Sequence, residues 1–518
     1  MKSSLTLDGN NLTIETIDTF SRNTEISVDI APSALLKVQN SREFLEKEVQ
    51  RSIVYGANTG FGPMASNIIN HTQLTLLQAN LIRSHAVGIG DPLPETYVLA
   101  AMLVRLNTLL KGYSGVSPEL IRHLQTFINK RILPIIPEHG AVGTSGDLVQ
   151  LAHIALALTG EGEVMYRKKR RKSVAVLKEC GISPYALKPK EGLSLINGTS
   201  AMTGIGALLC ARAEHILSFA IRFGALSLEL VHAFDDSISE HLHNTRPHKG
   251  QIEVARRLRS LLESSRMLKK RDELRQPSEN GADVVHISET VQEFYSLRCI
   301  PQVLGPVLDT LANTKNILET EMNSASDNPI VDTEHKLILH GGNFHGDYVA
   351  SAVDQLKIAL VKLGMLSERR TNFFLNHEIN KFFPPFMNLR TPGLTLGLQG
   401  LQFVATSTAA QNQTLAFPHY IHSIPTNGDN QDIVSMGTDA ALFATKVANN
   451  VNIILAVELI TLAQAVHFSN NPSELSDSSQ KLIQQITEIF PPIIEDRTLV
   501  DQLPKVVAFI QDEKKGNV

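Results

Sequence analysis

Three long stretches, Pro306–Asn323, Asp347–Phe374 and Thr438–Phe468, are rich in Ala, Leu and Ile and carry polar residues at helical intervals. An apolar stripe of that period has to be covered by other helices, so the pattern predicts a bundle of long, mutually buried helices. Helical periodicity also marks Ser33–Ser52, Leu99–Leu110, Pro118–Lys130, Asp147–Thr159 and Ser200–His232, and it dominates from Gln73 onward. The first sixty or so residues are mixed, and TLDGNNLTIETI (6–17) alternates like a short strand pair around a turn. The predicted class is mainly α, with a small mixed N-terminal part and a central bundle of long helices. No repeat and no long linker cuts the chain. The division read from the pattern is an N-terminal domain of residues 1–205 and a long-helix region of residues 206–518 with the C-terminal helices.

Composition narrows the function. Hydrophobic residues make up 43% of the 518 and charged residues 19%, ample for a buried core. A net charge of -4 gives no broad basic field, so nucleic acid is not an expected partner. The one strong charge run, RKKRRK (167–172), lies between EGEVMY and SVAVL, two strand-like pieces, and reads as a solvated hairpin tip. Glu263–Gly281 is charged and poor in apolar residues, and reads as a mobile surface segment. Cys180, Cys210 and Cys299 are far apart with no CxxC, which argues against a disulfide framework and for a reducing compartment. The N-terminus has no apolar core of signal type. Val451–Phe468 is broken by Asn452, Glu458, Gln464 and His467, and reads as a buried helix rather than a membrane span. A soluble, cytoplasmic protein is expected. Neither His241, His243 and His248 nor His340 and His345 offer a third ligand at a standard spacing, so no metal is expected.

The stretch GAVGTSGDLV (140–149) sets Thr144-Ser145-Gly146 between glycines, directly before a helical pattern. By itself such a junction is a capped turn. It also has the composition of a self-made electrophile. Attack of the Gly146 amide nitrogen on the Thr144 carbonyl carbon, with loss of water, closes a five-membered imidazolone. Dehydration of Ser145 then leaves an exocyclic methylidene. Gly146 has no Cβ to obstruct closure. Asp147 heads the following helix, whose positive end supports developing negative charge.

Other stretches bear on the choice. YGANTGFGPM (55–64), NLIRSHAVGIG (80–90), GTSGDLVQLAH (143–153), LINGTSAM (195–202), YSLRCIPQVLGP (295–306), NSASDNPI (323–330), HGGNFHGDY (340–348) and NQDIVSMG (430–437) together resemble the histidine/phenylalanine/tyrosine ammonia-lyase family. The stretches occur in that family's order and are most similar to bacterial tyrosine ammonia-lyases. The resemblance implies the ammonia-lyase (fumarase/aspartase-like) architecture and a homotetramer with active sites shared between subunits. It also implies 4-methylidene-imidazol-5-one (MIO) formed autocatalytically from Thr144, Ser145 and Gly146, with no dissociable cofactor. Most of the family has Ala where this chain has Thr144. Residue 144 gives only its carbonyl carbon to the ring, so the same electrophile is expected. Some bacterial aminomutases of the family share the threonine.

The same resemblance implies roles. Tyr55 is the base; a free tyrosine titrates near ~10, so nearby positive charge must favour its phenolate. Arg298 clamps the substrate carboxylate, and Tyr295, one helical turn earlier, shares its face. Asn197 and Asn328 hold MIO and the polar end of the substrate, and Phe344 packs beside MIO. Ser84 and His85 lie where the family reads the substrate side chain, and a histidine there hydrogen-bonds a phenol. Gln431 stands where histidine lyases carry glutamate, and a neutral amide suits an aromatic ring. The reading is an enzyme that eliminates ammonia from L-tyrosine to give p-coumarate. Histidine or phenylalanine as substrate, a tyrosine or phenylalanine 2,3-aminomutase, and a non-catalytic helical oligomer on the same scaffold stay open as alternatives.

Overall fold

Thr13 starts the first helix, α1 (Ile14–Arg22), by accepting the amide of Thr16 on its hydroxyl, which satisfies a donor that every helix start leaves unpaired. Ile14, Ile17 and Phe20 then fall on one face and are buried. This helical period overrides the alternation of TLDGNNLTIETI. Ser4–Leu7 is a strand, but its partner is Ser27–Ile30, in parallel, and no strand pair forms around Gly9. The computed structural model of the protein describes residues 4–275, 283–287 and 290–512. The chain divides into two compact units, residues 1–211, 313–355 and 418–444, and residues 212–312, 356–417 and 445–518.

In the first unit, α2 (Pro32–Val49) opens on proline, whose missing N–H is no loss at a helix start. α3 (Leu74–His85) follows, and then α4 (Glu95–Leu110), in which every residue from Val98 to Leu110 is buried. α5 (Pro118–Asn129) is capped by Ser117, and α6 (Leu148–Leu158) begins after the glycine-rich loop. The basic run forms a hairpin, with Arg167 and Lys168 at positive φ in its two-residue turn. Its second strand is Lys169–Lys172 itself, paired through to Glu163. No partner strand is left for SVAVL, which instead buries Val176 and Leu177 on helix α7 (Ser173–Cys180), ended by Gly181 in the left-handed region. Two helices, α8 (Glu191–Ile196) and α9 (Ser200–Leu230), lie on either side of the Asn197-Gly198 turn.

The second unit contains helices Lys249–Leu261, Gln399–Leu415, Asp477–Ile489 and Leu503–Gln511. Its interior is tied by ion pairs and caps. The fully buried Arg370 and Glu458 pair with each other, and Ser367 donates to the same carboxylate. Glu229 accepts the amide of Ser476 at 2.6 Å, at the start of helix Asp477–Ile489. Helix Ile300–Met322 starts six residues before Pro306, the start that the sequence pattern predicts; Ile300, Leu304, Val307 and Leu311 bury one face across the proline. That burial outweighs a single missing hydrogen bond. Within the segment read as mobile, Lys270 and Arg271 are tied to Asp235 and Asp236, and residues 276–281 lie outside the described residues.

Among the described residues two helices are long and apolar enough to cross a membrane, Ser200–Leu230 and Gly437–Phe468; 72% and 83% of their most apolar stretches are buried inside the protein. This is the pattern of core helices. The buried His243 accepts from Gln251 on Nδ1 and donates from Nε2 to the Ser237 carbonyl.

One buried ion pair braces the first unit. Lys190 donates to Asp327 at 3.0 Å, to the Ser114 carbonyl at 3.0 Å and to the Ser194 hydroxyl at 2.8 Å. Both partners are fully buried. Burial pulls the Lys190 ammonium below its ordinary value, and Asp327 opposes that pull. Lys190→Met strands the Asp327 carboxylate and is expected to lower stability by about 3–5 kcal/mol, read from the urea midpoint. The double change Lys190→Met/Asp327→Leu should recover most of it. An unchanged midpoint for the single variant contradicts the pairing.

Candidate active site

The loop before α6 turns because glycine lets it. Gly143 and Gly146 have φ of 76° and 74°. A Cβ on Gly146 would lie 2.1 Å from the Gly198 carbonyl oxygen, and one on Gly143 would lie 2.1 Å from the Ser435 hydroxyl. Thr144 and Gly146 lie side by side in a bridge, and Gly146 bridges Gly198 in turn. The chain at Ser145 is thus folded back on itself, with its two neighbours adjacent.

Both oxygens of Ser145 are held by side-chain amides. Asn197 Nδ2 donates to the Ser145 carbonyl at 2.9 Å. Gln431 Nε2 donates to the Ser145 hydroxyl at 2.9 Å. The Thr144 hydroxyl is buried and has no hydrogen-bond partner among the described residues. The doubled-back backbone and the left-handed glycine are what closure of a ring between Thr144 and Gly146 needs, and a donor on the Ser145 carbonyl suits the later loss of its Cα proton, so the residues present fit MIO.

Asp147 supports this loop from below. Its carboxylate accepts the amides of Ala201 and Met202, the first free donors of α9, at 2.8 and 2.9 Å, and the Thr438 hydroxyl at 2.6 Å. Burial pushes the Asp147 carboxyl up to about 6 from an ordinary 3.8, against those three hydrogen bonds. A carboxyl raised in the folded state favours folding below its unfolded pKa and loses that contribution as pH climbs through about 6. Arg105, fully buried, donates to the carbonyls of Ser326, Ser194 and Asn197, and burial pulls it down to about 10.

A cavity of about 760 Å³ opens above Ser145. Tyr55, Ser84, His85, Ser145, Gly146, Asn197, Asn328, Phe344 and Gln431 all line it. One face of α3 supplies Leu77, Asn80, Leu81, Ser84 and His85, at the spacing that brings residues three and four apart together. His85 Nδ1 is 2.9 Å from the Leu81 carbonyl, which can only accept, so Nδ1 carries a proton, and in the neutral ring Nε2 carries the lone pair. Tyr55 is held at both ends. Its N–H donates to His340 Nε2 at 3.2 Å, and its hydroxyl oxygen accepts from the Gly62 amide at 2.9 Å. Burial, with Lys190 nearby, keeps the His340 imidazole below its ordinary value, which favours the neutral acceptor. Asn328 Oδ1 accepts from Gly341, which leaves its NH2 as the remaining donor.

Tyr295 and Arg298 do not line this cavity and belong to the second unit. Tyr295 is 72% exposed; the Arg298 guanidinium lies 4.6 Å from its ring centroid and bonds Gln292. The shared face read from their spacing is present.

Gln78 escaped the sequence reading. It is fully buried on α3, and its amide donates to the Gly56 carbonyl at 2.9 Å and accepts the Leu193 amide at 3.2 Å. One side chain therefore joins the Tyr55 loop, the helix bearing His85 and the helix leading to Asn197. A polar residue on the apolar side of a helix was the available signal. Gln78→Leu strands two buried backbone groups and should cost about 2–4 kcal/mol in chemical denaturation. A loss below ~0.5 kcal/mol would mean that those groups find other partners.

Residues 12–488 match the family model described as aromatic amino acid lyase. The histidine ammonia-lyase of Geobacillus thermodenitrificans is 41% identical over 94% of this chain and 93% of its own length. The tyrosine 2,3-aminomutase of Chondromyces crocatus is 41% identical over 93% of this chain and 92% of its own length. Among solved structures, the tyrosine aminomutase of Streptomyces globisporus superposes with a TM-score of 0.95 at 38% identity, covering 99% of this chain and 97% of that one. The mainly α architecture of long helices is the one these proteins share. The chain belongs to the aromatic amino acid lyase family, which includes carbon–nitrogen lyases such as histidine ammonia-lyases.

Proposed function

We propose that the protein eliminates ammonia from L-tyrosine to give p-coumarate, using an electrophile made from Thr144, Ser145 and Gly146. The observation that carries this is the double grip on Ser145 by Asn197 and Gln431, on the wall of a cavity that also holds Tyr55 and His85. MIO would supply the electrophilic carbon that turns the substrate's amine into a leaving group. The chain's own residues do the rest. Tyr55 takes the β proton, with its ring steadied by the Gly62 amide and its backbone by His340. Asn197 keeps a donor on the oxygen where negative charge collects. His85 offers the Nε2 lone pair to the phenol hydroxyl, a partner that phenylalanine lacks.

The enzyme works as a soluble, cytoplasmic homotetramer in this reading. The cavity is lined by the first unit alone, and Tyr295 is exposed. Both facts suit an arrangement in which the partner subunit's Tyr295 and the partner subunit's Arg298 complete the site, the arginine pairing with the substrate carboxylate. Two observations favour second readings. An imidazole N–H can also donate to His85, and a relative 41% identical is named histidine ammonia-lyase. The Streptomyces structure is that of a tyrosine aminomutase.

Tyrosine, phenylalanine and histidine offered separately distinguish these, by the ultraviolet absorbance of the unsaturated acids and by NMR for β-amino acids. p-Coumarate should form fastest. Urocanate as the fastest product overturns the substrate, and β-tyrosine as the main product overturns the lyase assignment. Ser145→Ala should remove nearly all activity while the fold persists, and Thr144→Ala should stay active. His85→Phe should move the kcat/KM preference toward phenylalanine by at least ~10-fold. An unchanged ratio removes His85 as the selector.

A further inference from the structure

We propose that Gln431 is the donor that carries away the Ser145 hydroxyl when the Thr144-Ser145-Gly146 segment matures, and that Thr426 sets its direction. The proposal rests on the reading that this segment cyclises and dehydrates. In the first step the Gly146 nitrogen bonds to the Thr144 carbonyl carbon. The Thr144 oxygen leaves as water with the hydrogens of the Gly146 and Ser145 nitrogens. In the second step the Ser145 Cα–H bond breaks and its electron pair forms the Cα–Cβ double bond. The Cβ–Oγ bond breaks with it, and the departing hydroxide is completed to water by the proton that Cα released. No other reactant is consumed.

Each of these charges has a donor in place. Asn197 Nδ2 sits on the Ser145 carbonyl oxygen, where charge collects as the Cα proton leaves. Gln431 Nε2 sits on Oγ, the leaving atom. An amide has two ends, and only the NH2 end assists departure. Thr426 decides which end faces Ser145, because its hydroxyl donates to Gln431 Oε1 at 3.1 Å and occupies the accepting end.

The backbone makes that arrangement rigid. Thr426 and Gln431 exchange amide hydrogen bonds, at 3.0 and 3.3 Å. The turn between them places Asn427, Gly428 and Asp429 at φ of 56°, 61° and 59°. Asn, Gly and Asp are the residues that tolerate the left-handed region, so the sequence TNGDNQ closes a tight hairpin and fixes both side chains.

The test is the intact mass of the full chain, sampled during cell-free synthesis. The wild-type chain should become lighter by one water and then by two. Gln431→Leu should accumulate the species lighter by one water, with the second loss slowed about 10²-fold, the effect of removing one such donor. Thr426→Val should also delay the second loss, and Thr426→Ser, which keeps the hydroxyl, should restore it. Gln431→Leu losing its second water at the wild-type rate overturns the proposal, and so does a Gln431→Leu chain that loses no water. Thr426→Ser as slow as Thr426→Val overturns the orienting role. A wild-type chain that loses no water overturns the underlying reading instead, and the two failures are told apart by that control.

Discussion

The approach of Gly146 to the Gly198 carbonyl is the contact on which the site depends. No side chain fits between them, since a Cβ at position 146 would lie 2.1 Å from that oxygen. The contact presses the Asn197-Gly198 turn against the Ser145 loop and puts the Asn197 amide on the Ser145 carbonyl. It also places the Asp147 amide on the Gly198 carbonyl at 2.8 Å and the Asp147 carboxylate at the start of α9. Loop, turn and helix start are therefore one hydrogen-bonded block, and the chemistry sits on it.

Holding such a block costs folding energy. Arg105, Lys190, Asp147 and Asp327 are all buried charged groups, and burial works against each charged form. They persist because each is surrounded by backbone carbonyls, amides or an opposite charge. A block of that kind keeps the donors on Ser145 in place before any charge develops, so little reorganisation is needed when it does. Tyr55 and the Thr426–Gln431 hairpin sit on turns with positive φ at Gly56, Gly62, Asn427, Gly428 and Asp429.

Much of this was legible in the sequence, for physical reasons that differ by residue. The long helices were visible because a buried helix must repeat its apolar residues every three or four positions. Short elements were not. TLDGNNLTIETI (6–17) alternates, but from Ile14 on the cap at Thr13 and the burial of Ile14, Ile17 and Phe20 decide for helix. SVAVL has strand composition, but the hairpin partner runs out at Glu163. Pro306 looked like a helix start because one missing hydrogen bond is visible in sequence and the burial that outweighs it is not. Nine of the residues singled out for chemistry line one cavity, since short glycine- and asparagine-rich motifs fix backbone geometry locally. Gln78 acts through partners distant in sequence and is marked only as a polar residue on the apolar side of a helix, and Thr426 acts through a hairpin and is marked by no pattern. Tyr295 and Arg298 share a face, as their spacing implied, but spacing carries no information about which site that face serves.

The central claim is that Ser145 does not survive as serine. A proteolytic digest of the purified protein, with mass analysis of the peptide spanning Gly140–Val149, tests it most directly. The account predicts a peptide lighter than its sequence by two waters, with the change localised to Thr144-Ser145-Gly146. A peptide of full mass with an intact Ser145 hydroxyl would contradict it.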